Sequence, residues 1–565
     1  VTGAPDEFTS KSVGARTLIA AAGVMMNLFT GLLIFCLAFA VGVKFMLPQL
    51  GEVPLGSQAY AAGLRDGDKV ISVDGKPVSH FEQVGLAIAY SAPDQEIEMV
   101  VEREDDGVVR RHKVVFTPKK NKTHGIPMLQ GLTPGIAAQV FKVEGDSAAS
   151  KAVLASDGSP YPLRRGDLIL SIAGVPIDPL DGNAVRRGFF DNPDRDIPVT
   201  IRRGMRIRTS LEKDEGRYAP TLSYEGGKDV EVVIHPKAKY HHHIGAYPAE
   251  LPTVSGEVTE GAPAYGLIQK GDQILRVEGK DARTHSFRRA IRFSAGRPVE
   301  VEILRDGQEQ KVTLTPRFAR GTTYQVGVPF AGAMTVGQVD SGSAADQAGL
   351  RPGDLITKID YDEKIDDEKE ILTWLAVEVI ASAGKKMTLT VQREAGDASE
   401  IIEIEVKPLE DKEHSYGQGG IGLGRPTFAL RSENLLEATK LGIGGTVDWV
   451  RNILLTFRNI FNRQVSPKNL GGPVMIAQAS YRFATQGFGT ILYFLGIISI
   501  NLAILNVLPI PVLDGGMLFF LAIEKIKGSP VQEKYMIIAN YFGLALLLSL
   551  MLYVTFNDIM RIFSG

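Results

Sequence analysis

Polarity divides the chain into two apolar ends and a polar middle. Leu18–Leu47 is apolar apart from Asn27, Thr30 and Lys44, and Gly487–Pro509 and Tyr535–Phe556 are further apolar runs. About 20 apolar residues in a helix cross the core of a bilayer, so each run predicts a spanning helix. One such run alone also reads as a buried soluble helix, but three together argue for a membrane protein. Short-loop charge orients them. Lys11 and Arg16 precede the first run, and Lys525, Lys527 and Lys534 lie between the second and third. These loops are expected on the cytoplasmic side and the polar middle outside, with Lys44 and Arg561 falling on the opposite side. In Ser432–Arg463 the residues Trp449, Ile453, Phe457, Ile460 and Phe461 recur at helical spacing among Arg451, Arg458 and Arg463. That pattern fits a helix lying in the headgroup region, or equally an amphipathic helix packed on protein.

The middle is repetitive. Gly67-Asp68, Gly166-Asp167, Gly271-Asp272 and Gly353-Asp354 recur at intervals of 99, 105 and 82 residues, each the size of a small domain. Gly tolerates positive φ and Asp bonds nearby amides, so each pair predicts a tight turn. The strand that follows places Val70 and Val73, Ile169 and Ile172, Ile274 and Val277, or Ile356 and Ile359 at equivalent core positions. A second turn at Gly75, Gly174, Gly279 or Tyr361 ends it. Short small-residue helices precede two of the turns, Ser57–Ala62 and Ser343–Ala348, with Ser as cap and Gly63 or Gly349 as stop. These units resemble PDZ domains of the bacterial protease type, through Ala62-Gly63-Leu64-Arg65-Asp66-Gly67-Asp68 and Ala348-Gly349-Leu350-Arg351-Pro352-Gly353-Asp354. The second copy diverges, with an insertion around Ser156–Arg165. The resemblance implies extended peptides or peptide termini as partners, added to a sheet edge, with some copies acting as spacers.

Composition removes several classes. A net charge of −3 offers no footprint for nucleic acid, and the single cysteine, Cys36, forms neither a disulfide framework nor a cysteine-rich metal site. The start, Val1–Lys11, is polar and unlike a signal peptide; it reads as the inside of a loop.

The chemistry is concentrated near the C-terminal end. Asn501, Asn506, Pro509, Pro511, Asp514, Gly515 and Gly516 lie in or just after an apolar run. Such helix-breaking backbone at membrane depth survives only where protein or a wet cavity satisfies it, and an ionisable side chain there is functional by default. Asn506, Pro509, Leu513, Asp514 and Gly515 match the Asn-x-x-Pro-x-x-x-Leu-Asp-Gly motif of the site-2 protease family, which the chain resembles. The likeness extends to Leu521–Gly528, Asn469–Val474 and Ala22–Asn27, and is strongest to the bacterial type that releases an envelope-stress sigma factor. Val24 stands where the family usually has Pro, and four PDZ-like units exceed the usual one or two.

The resemblance implies an intramembrane Zn2+ metalloprotease in a bacterial inner membrane, acting on the membrane helix of an anchored substrate, such as an anti-sigma factor. The lipid bilayer is a further partner, and the PDZ-like array would lie on the periplasmic side and gate entry. Asp514 would be a zinc ligand. Asn501 and Asn506 would bind unwound substrate backbone, helix–helix hydrogen bonding being the plainer alternative. Asn27, Pro509, Pro511, Leu513, Gly515 and Gly516 would shape the site. The family's other two ligands are histidines of a His-Glu-x-x-His helix, whose Glu is the general base. No such motif occurs among the nine histidines: His80, His112, His124, His235, His241, His242, His243, His285 and His414. His241-His242-His243 reads better as a solvated loop than as a chelate. The missing motif is expected upstream of Val1. The alternative is a membrane-tethered peptide-binding scaffold or inactive relative. A trypsin-like serine protease lacks a region of suitable size outside the repeats.

The expected architecture is multi-domain: a polytopic α-helical membrane domain joined to tandem mixed α+β PDZ-like domains. Its segments are 1–49 (loop and first span), 50–120, 121–236, 237–320 and 321–410 (the four units), 411–486 (linker and interfacial helix) and 487–565 (C-terminal spans carrying the motif).

Overall fold

The computed structural model describes residues 11–564 apart from 55–56, 93–94, 106, 121–126, 215–216, 244–245, 249–250, 284–285, 320–322, 326–329, 332–333, 362–383, 385, 396–397, 419–420, 463–470 and 530. His124, His285, Asn469, Leu470 and Arg463, named above, lie outside these residues. The same holds for the side chains of His241, His242, His243, His414 and Tyr361.

Among the described residues, six long helices carry the two apolar ends: α1 (Val13–Val41), α2 (Leu435–Phe461), α3 (Pro473–Gln486), α4 (Phe488–Val507), α5 (Asp514–Lys527) and α6 (Glu533–Ser564). Of these, α1, α4 and α6 are long and apolar enough to cross a membrane. The Ser12 hydroxyl accepts the Ala15 N–H and starts α1. Gly42, at φ +112°, ends it. The first apolar run is therefore not helical to Leu47. Val43–Met46 instead forms a strand paired antiparallel with Thr427–Leu430, Val43 opposite Leu430. Phe39, Phe45, Leu47 and Phe428 bury one another at this junction.

Small residues let α1 and α4 approach closely. A Cβ at Gly31 would stand 2.7 Å from Ile500, and one at Gly496 would stand 3.0 Å from Phe35. Helix α2 packs on the same pair. Trp449 donates to the Tyr493 hydroxyl at 2.9 Å, and Trp449 and Ile453 rest against Phe35, Ile497 and Ile500. Trp449 and Ile453, two residues of the aromatic face of α2, thus pack on protein.

Four separate cores follow the four Gly-Asp turns. Ser57 and Ser343 cap their short helices through the Tyr60 and Asp346 N–H groups. Gly63 and Gly349 follow these helices at φ +99° and +85°. Of the eight anticipated core positions, Val70, Val73, Ile169, Ile172, Ile274, Val277 and Ile356 are buried, and Ile359 is half-buried.

Each turn aspartate does more than shape a turn. Asp68, Asp167, Asp272 and Asp354 are at most 2% exposed. They accept the backbone N–H of Arg65, Arg164, Gln269 and Arg351, each at 2.8 Å. An arginine from a neighbouring strand grips each of them bidentately: Arg103, Arg203, Arg305 and Arg393. The same arginines bond the carbonyls of Gly63, Pro162, Leu267 and Gly349, tying turn to sheet. Burial pushes the Asp272 and Asp354 carboxyls up, yet the arginines and N–H donors outweigh it and hold both below the ordinary range.

Strands also cross between units. Gly51 donates to Thr133 and Gly135 to Gln49, placing 133–135 beside the first unit. Ile421–Leu423 pairs with Val140–Val143 of the second. Phe330–Ala331 pairs with Thr253–Val254, and Ala246–Pro248 with Val336–Val339, so the third and fourth units exchange strands. These ladders cross the segment boundaries read from the sequence.

The second unit carries a long hairpin, Arg206–Asp214 with Arg217–Glu225, between its strands Ile197–Arg203 and Lys228–Ile234. It reaches the membrane end of the molecule. Leu211, Tyr218 and Leu222 pack against the α1 exit cluster, and the Tyr218 N–H donates to Ser79 Oγ at 2.9 Å. Lys213 Nζ lies 2.6 Å from Glu437 Oε1, to which the Tyr218 hydroxyl also donates. The Lys213 ammonium first, then the Glu433 N–H and the Tyr218 hydroxyl, hold the Glu437 carboxyl down at about 2. A depressed carboxyl contributes stability above its unfolded value of about 4.3 and loses it as pH falls through the folded value. Hydrogen-exchange protection of 211–222, corrected for intrinsic rates, is therefore expected to fall between about pH 4 and 2. Glu437→Gln should lower it already at pH 7, and unchanged protection in that variant would refute the tether.

Candidate active site

The site is built where α4 stops and α5 starts. Leu508 is extended and Pro509 and Pro511 follow, so the helix cannot continue. The freed backbone closes on itself: Ile510 N–H donates to Leu508 O, Leu513 N–H to Ile510 O, and Gly516 N–H to Leu513 O. This turn meets the requirement for satisfied backbone within an apolar region. Val512 has φ +86°, a rare conformation for a β-branched residue that costs of order 1–3 kcal/mol.

Gly515 and Gly516 are needed by close approach. A Cβ at Gly515 would collide with the Val507 and Leu508 carbonyls, and one at Gly516 with the Ile510 carbonyl. On the other side, a Cβ at Gly543 of α6 would collide with the Pro511 carbonyl. The turn is thus held between α4, α5 and α6.

Asp514 is the first residue of α5, where the helix N-terminus favours a carboxylate. It is half-buried and faces α1: a Cβ at Gly23 would lie 2.8 Å from Asp514 Oδ2. At 1.5 Å per residue, Gly23 is about 10 Å along α1 from Arg16 and about 27 Å from Val41. The carboxylate therefore sits inside the helical layer, nearer the end opposite the β-rich units. It has no cationic partner among the described residues. Asn501 and Asn506 are half-buried on α4 and likewise lack side-chain partners among them. The Asn27 carbonyl accepts the Ser499 hydroxyl at 2.8 Å, fixing α1 against α4 beside the site.

The donor chemistry at Asp514 fits one oxygen ligand of a zinc ion, in a cradle that a side chain at 23 would fill. It does not complete a site: among the described residues no three His, Cys, Asp or Glu converge. His80 stacks on Phe45 at the α1 exit, with ring centroids 4.0 Å apart. His112 and His235 pair with Asp105 and Asp196 in the outer units.

Two contacts that the pattern did not reveal also shape this region. Arg16 forks onto Glu524 of α5 at 3.0 and 2.5 Å, with both side chains mostly buried. Arg16 thus acts as an ion-pair partner as well as a topogenic charge, and a lone Glu in an apolar helix was the signal for it. Asp558 of α6, 3% exposed, accepts the Gly472 and Met475 N–H groups and so caps α3 from a distance.

Comparisons with known proteins agree on kinship. The profile of Peptidase family M50 matches residues 2–550. The regulator of sigma-W protease RasP of Bacillus subtilis (strain 168) is 35% identical over 231 residues, 40% of this chain and 51% of that protein. The zinc metalloprotease RasP of Geobacillus kaustophilus is 32% identical over 228 residues, with the same shares. Neisseria meningitidis NMA0084 is 33% identical over 336 residues, 54% of this chain and 73% of its own length. The chain matches about half the length of the two RasP proteins. With its motif turn, its three apolar helices and a profile match over nearly its whole length, this chain belongs to Peptidase family M50.

Proposed function

We propose that the chain is the greater part of an intramembrane zinc metalloprotease that cuts the transmembrane segment of a membrane-anchored substrate. The observation that supports this most directly is Asp514, an unpartnered carboxylate cradled by Gly23 within the helical layer. In this reading Asp514 supplies one zinc ligand. The histidine ligands and the general base come from a segment outside these 565 residues. Bound zinc would supply Lewis acidity and an activated water. The chain's own residues present the carboxylate, hold the turn, and offer the Asn501 and Asn506 amides to an unwound substrate backbone. The PDZ-like units restrict entry to substrates already trimmed on the outer side. The protein resides in a bacterial inner membrane with those units in the periplasm, and an anti-sigma factor is a fitting substrate.

The test is cleavage of a single-span reporter by the protein reconstituted with its naturally encoded upstream sequence. Chelation should stop cleavage and added zinc restore it. A metal-loaded protein that binds peptide but leaves the reporter intact would instead be a tethered scaffold.

The Gly23 cradle gives a sharper expectation. Gly23→Ala puts a methyl group against the flexible end of Asp514, so the carboxylate swings aside and the helices need not part. Cleavage should fall at least about tenfold while the melting temperature in detergent stays near wild type. Wild-type activity would show that Asp514 does not need its present position.

A further inference from the structure

We propose that the groove between α1 and α2 is a binding site for an anionic phospholipid. This rests on a different face of the molecule from Asp514 and stands whether or not the chain is a protease. The groove is shallow and open along one side, and holds about 550 Å³. Its walls are alkyl side chains, among them Leu28 of α1 and Val447, Leu454 and Leu455 of α2, and Arg451 and Arg458 complete the lining.

The arrangement follows from helical spacing. Val447, Arg451, Leu454 and Arg458 are separated by four, three and four residues and so form one stripe, about 16 Å long. The stripe is distinct from the Trp449–Ile453 face that packs on protein. Val447 and Leu454 remain 60% and 56% exposed. An apolar surface of this kind on a helix beside a membrane span is a natural seat for an acyl chain.

The two arginines decide the headgroup. Neither forms an ion pair with a carboxylate among the described residues. Arg458 has only weak contacts at 3.4 Å with the Asn459 side-chain oxygen, and Asp448, the acidic residue nearest in sequence, forms no ion pair with either, although it feels the charge of Arg451. Two guanidinium groups bordering an alkyl groove complement a phosphate attached to an acyl chain, since guanidinium forks match phosphate oxygens. A zwitterionic lipid supplies the same chain without net negative charge. Soluble phosphate supplies the charge without the chain.

Trp449, next to the groove residue Val450, reports occupancy. Trp374→Phe leaves it the sole tryptophan of the chain. In mixed bilayers, phosphatidylglycerol with brominated chains should quench Trp449 at a mole fraction roughly thirtyfold lower than brominated phosphatidylcholine, the scale expected for two cations meeting an anionic lipid. Arg451→Ala with Arg458→Ala should equalise the two lipids. Arg451→Lys with Arg458→Lys, which keeps the charge, should retain most of the preference and shows that loss in the alanine pair is not misfolding. Equal quenching by both lipids in the Trp374→Phe protein, or a preference that survives the alanine pair, would overturn the proposal. Displacement of the brominated lipid by a single-span reporter helix would likewise overturn it, by assigning the groove to substrate.

Discussion

Asp514→Ala should reduce zinc-dependent cleavage by more than about a hundredfold. Even groups that only orient a metal ligand cost 10- to 100-fold when removed, and a ligand itself costs more. The loss should be confined to the chemistry. Asp514 is half-buried and has no bond to another described residue that its removal would break, so helicity and thermal stability should stay close to wild type. Peptide binding by the outer units should persist, because they lie beyond Val41, about 27 Å along α1 from Gly23. Asp514→Asn separates charge from shape. It keeps the volume facing Gly23 but offers a poorer ligand, so it should behave like the alanine variant. A variant that cleaves a reporter helix at the wild-type rate would remove Asp514 from the site.

The second large effect concerns stability. Arg103→Ala leaves the fully buried Asp68 with the Arg65 N–H and no cation. Breaking a buried pair by removing one partner costs roughly 3–5 kcal/mol, a large share of what a small domain has. The first unit should melt early, seen as lost protection of 69–73 and 97–116 in hydrogen exchange. Arg103→Lys should rescue only part, because a lysine cannot reproduce the bidentate fork and the bond to the Gly63 carbonyl together. Arg305→Ala and Arg393→Ala should act alike in the third and fourth units. For those two, low pH should mimic the mutation: Asp272 and Asp354 are held below the ordinary carboxylate range, so their contribution is present at neutral pH and lost as pH falls below it. A melting profile unchanged by Arg103→Ala would show the fork to be incidental.

What was legible in the sequence was local. A Gly-Asp turn, a Ser cap and a helix-breaking Pro each act within a few residues, so they could be read without a fold. The arginine clasps were not legible in that way. Each arginine comes from a strand 33 to 39 residues after its aspartate and meets it only through sheet pairing. Their fourfold recurrence at near-constant spacing was a usable signal. The strand exchanges could not be read at all, since a short strand such as Ala246–Pro248 fits several edges and tertiary context selects one. Gly42 illustrates a third case. Hydropathy ran on past it to Leu47, but positive φ at Gly42 and pairing of Val43 with Leu430 ended the helix. At the site, the motif pointed to Asp514, Gly515 and Gly516. Gly23, 491 residues away in another helix, became meaningful only once α1 and α5 were placed together.

Zinc binding by Asp514 inside the membrane layer is tested most directly by X-ray absorption at the zinc edge, on the full-length protein. The account predicts about one zinc per chain, with an oxygen ligand at roughly 2.0–2.2 Å beside nitrogen ligands, and loss of that oxygen or of the metal in Asp514→Ala. Zinc bound in full, with an unchanged spectrum in Asp514→Ala, would contradict it.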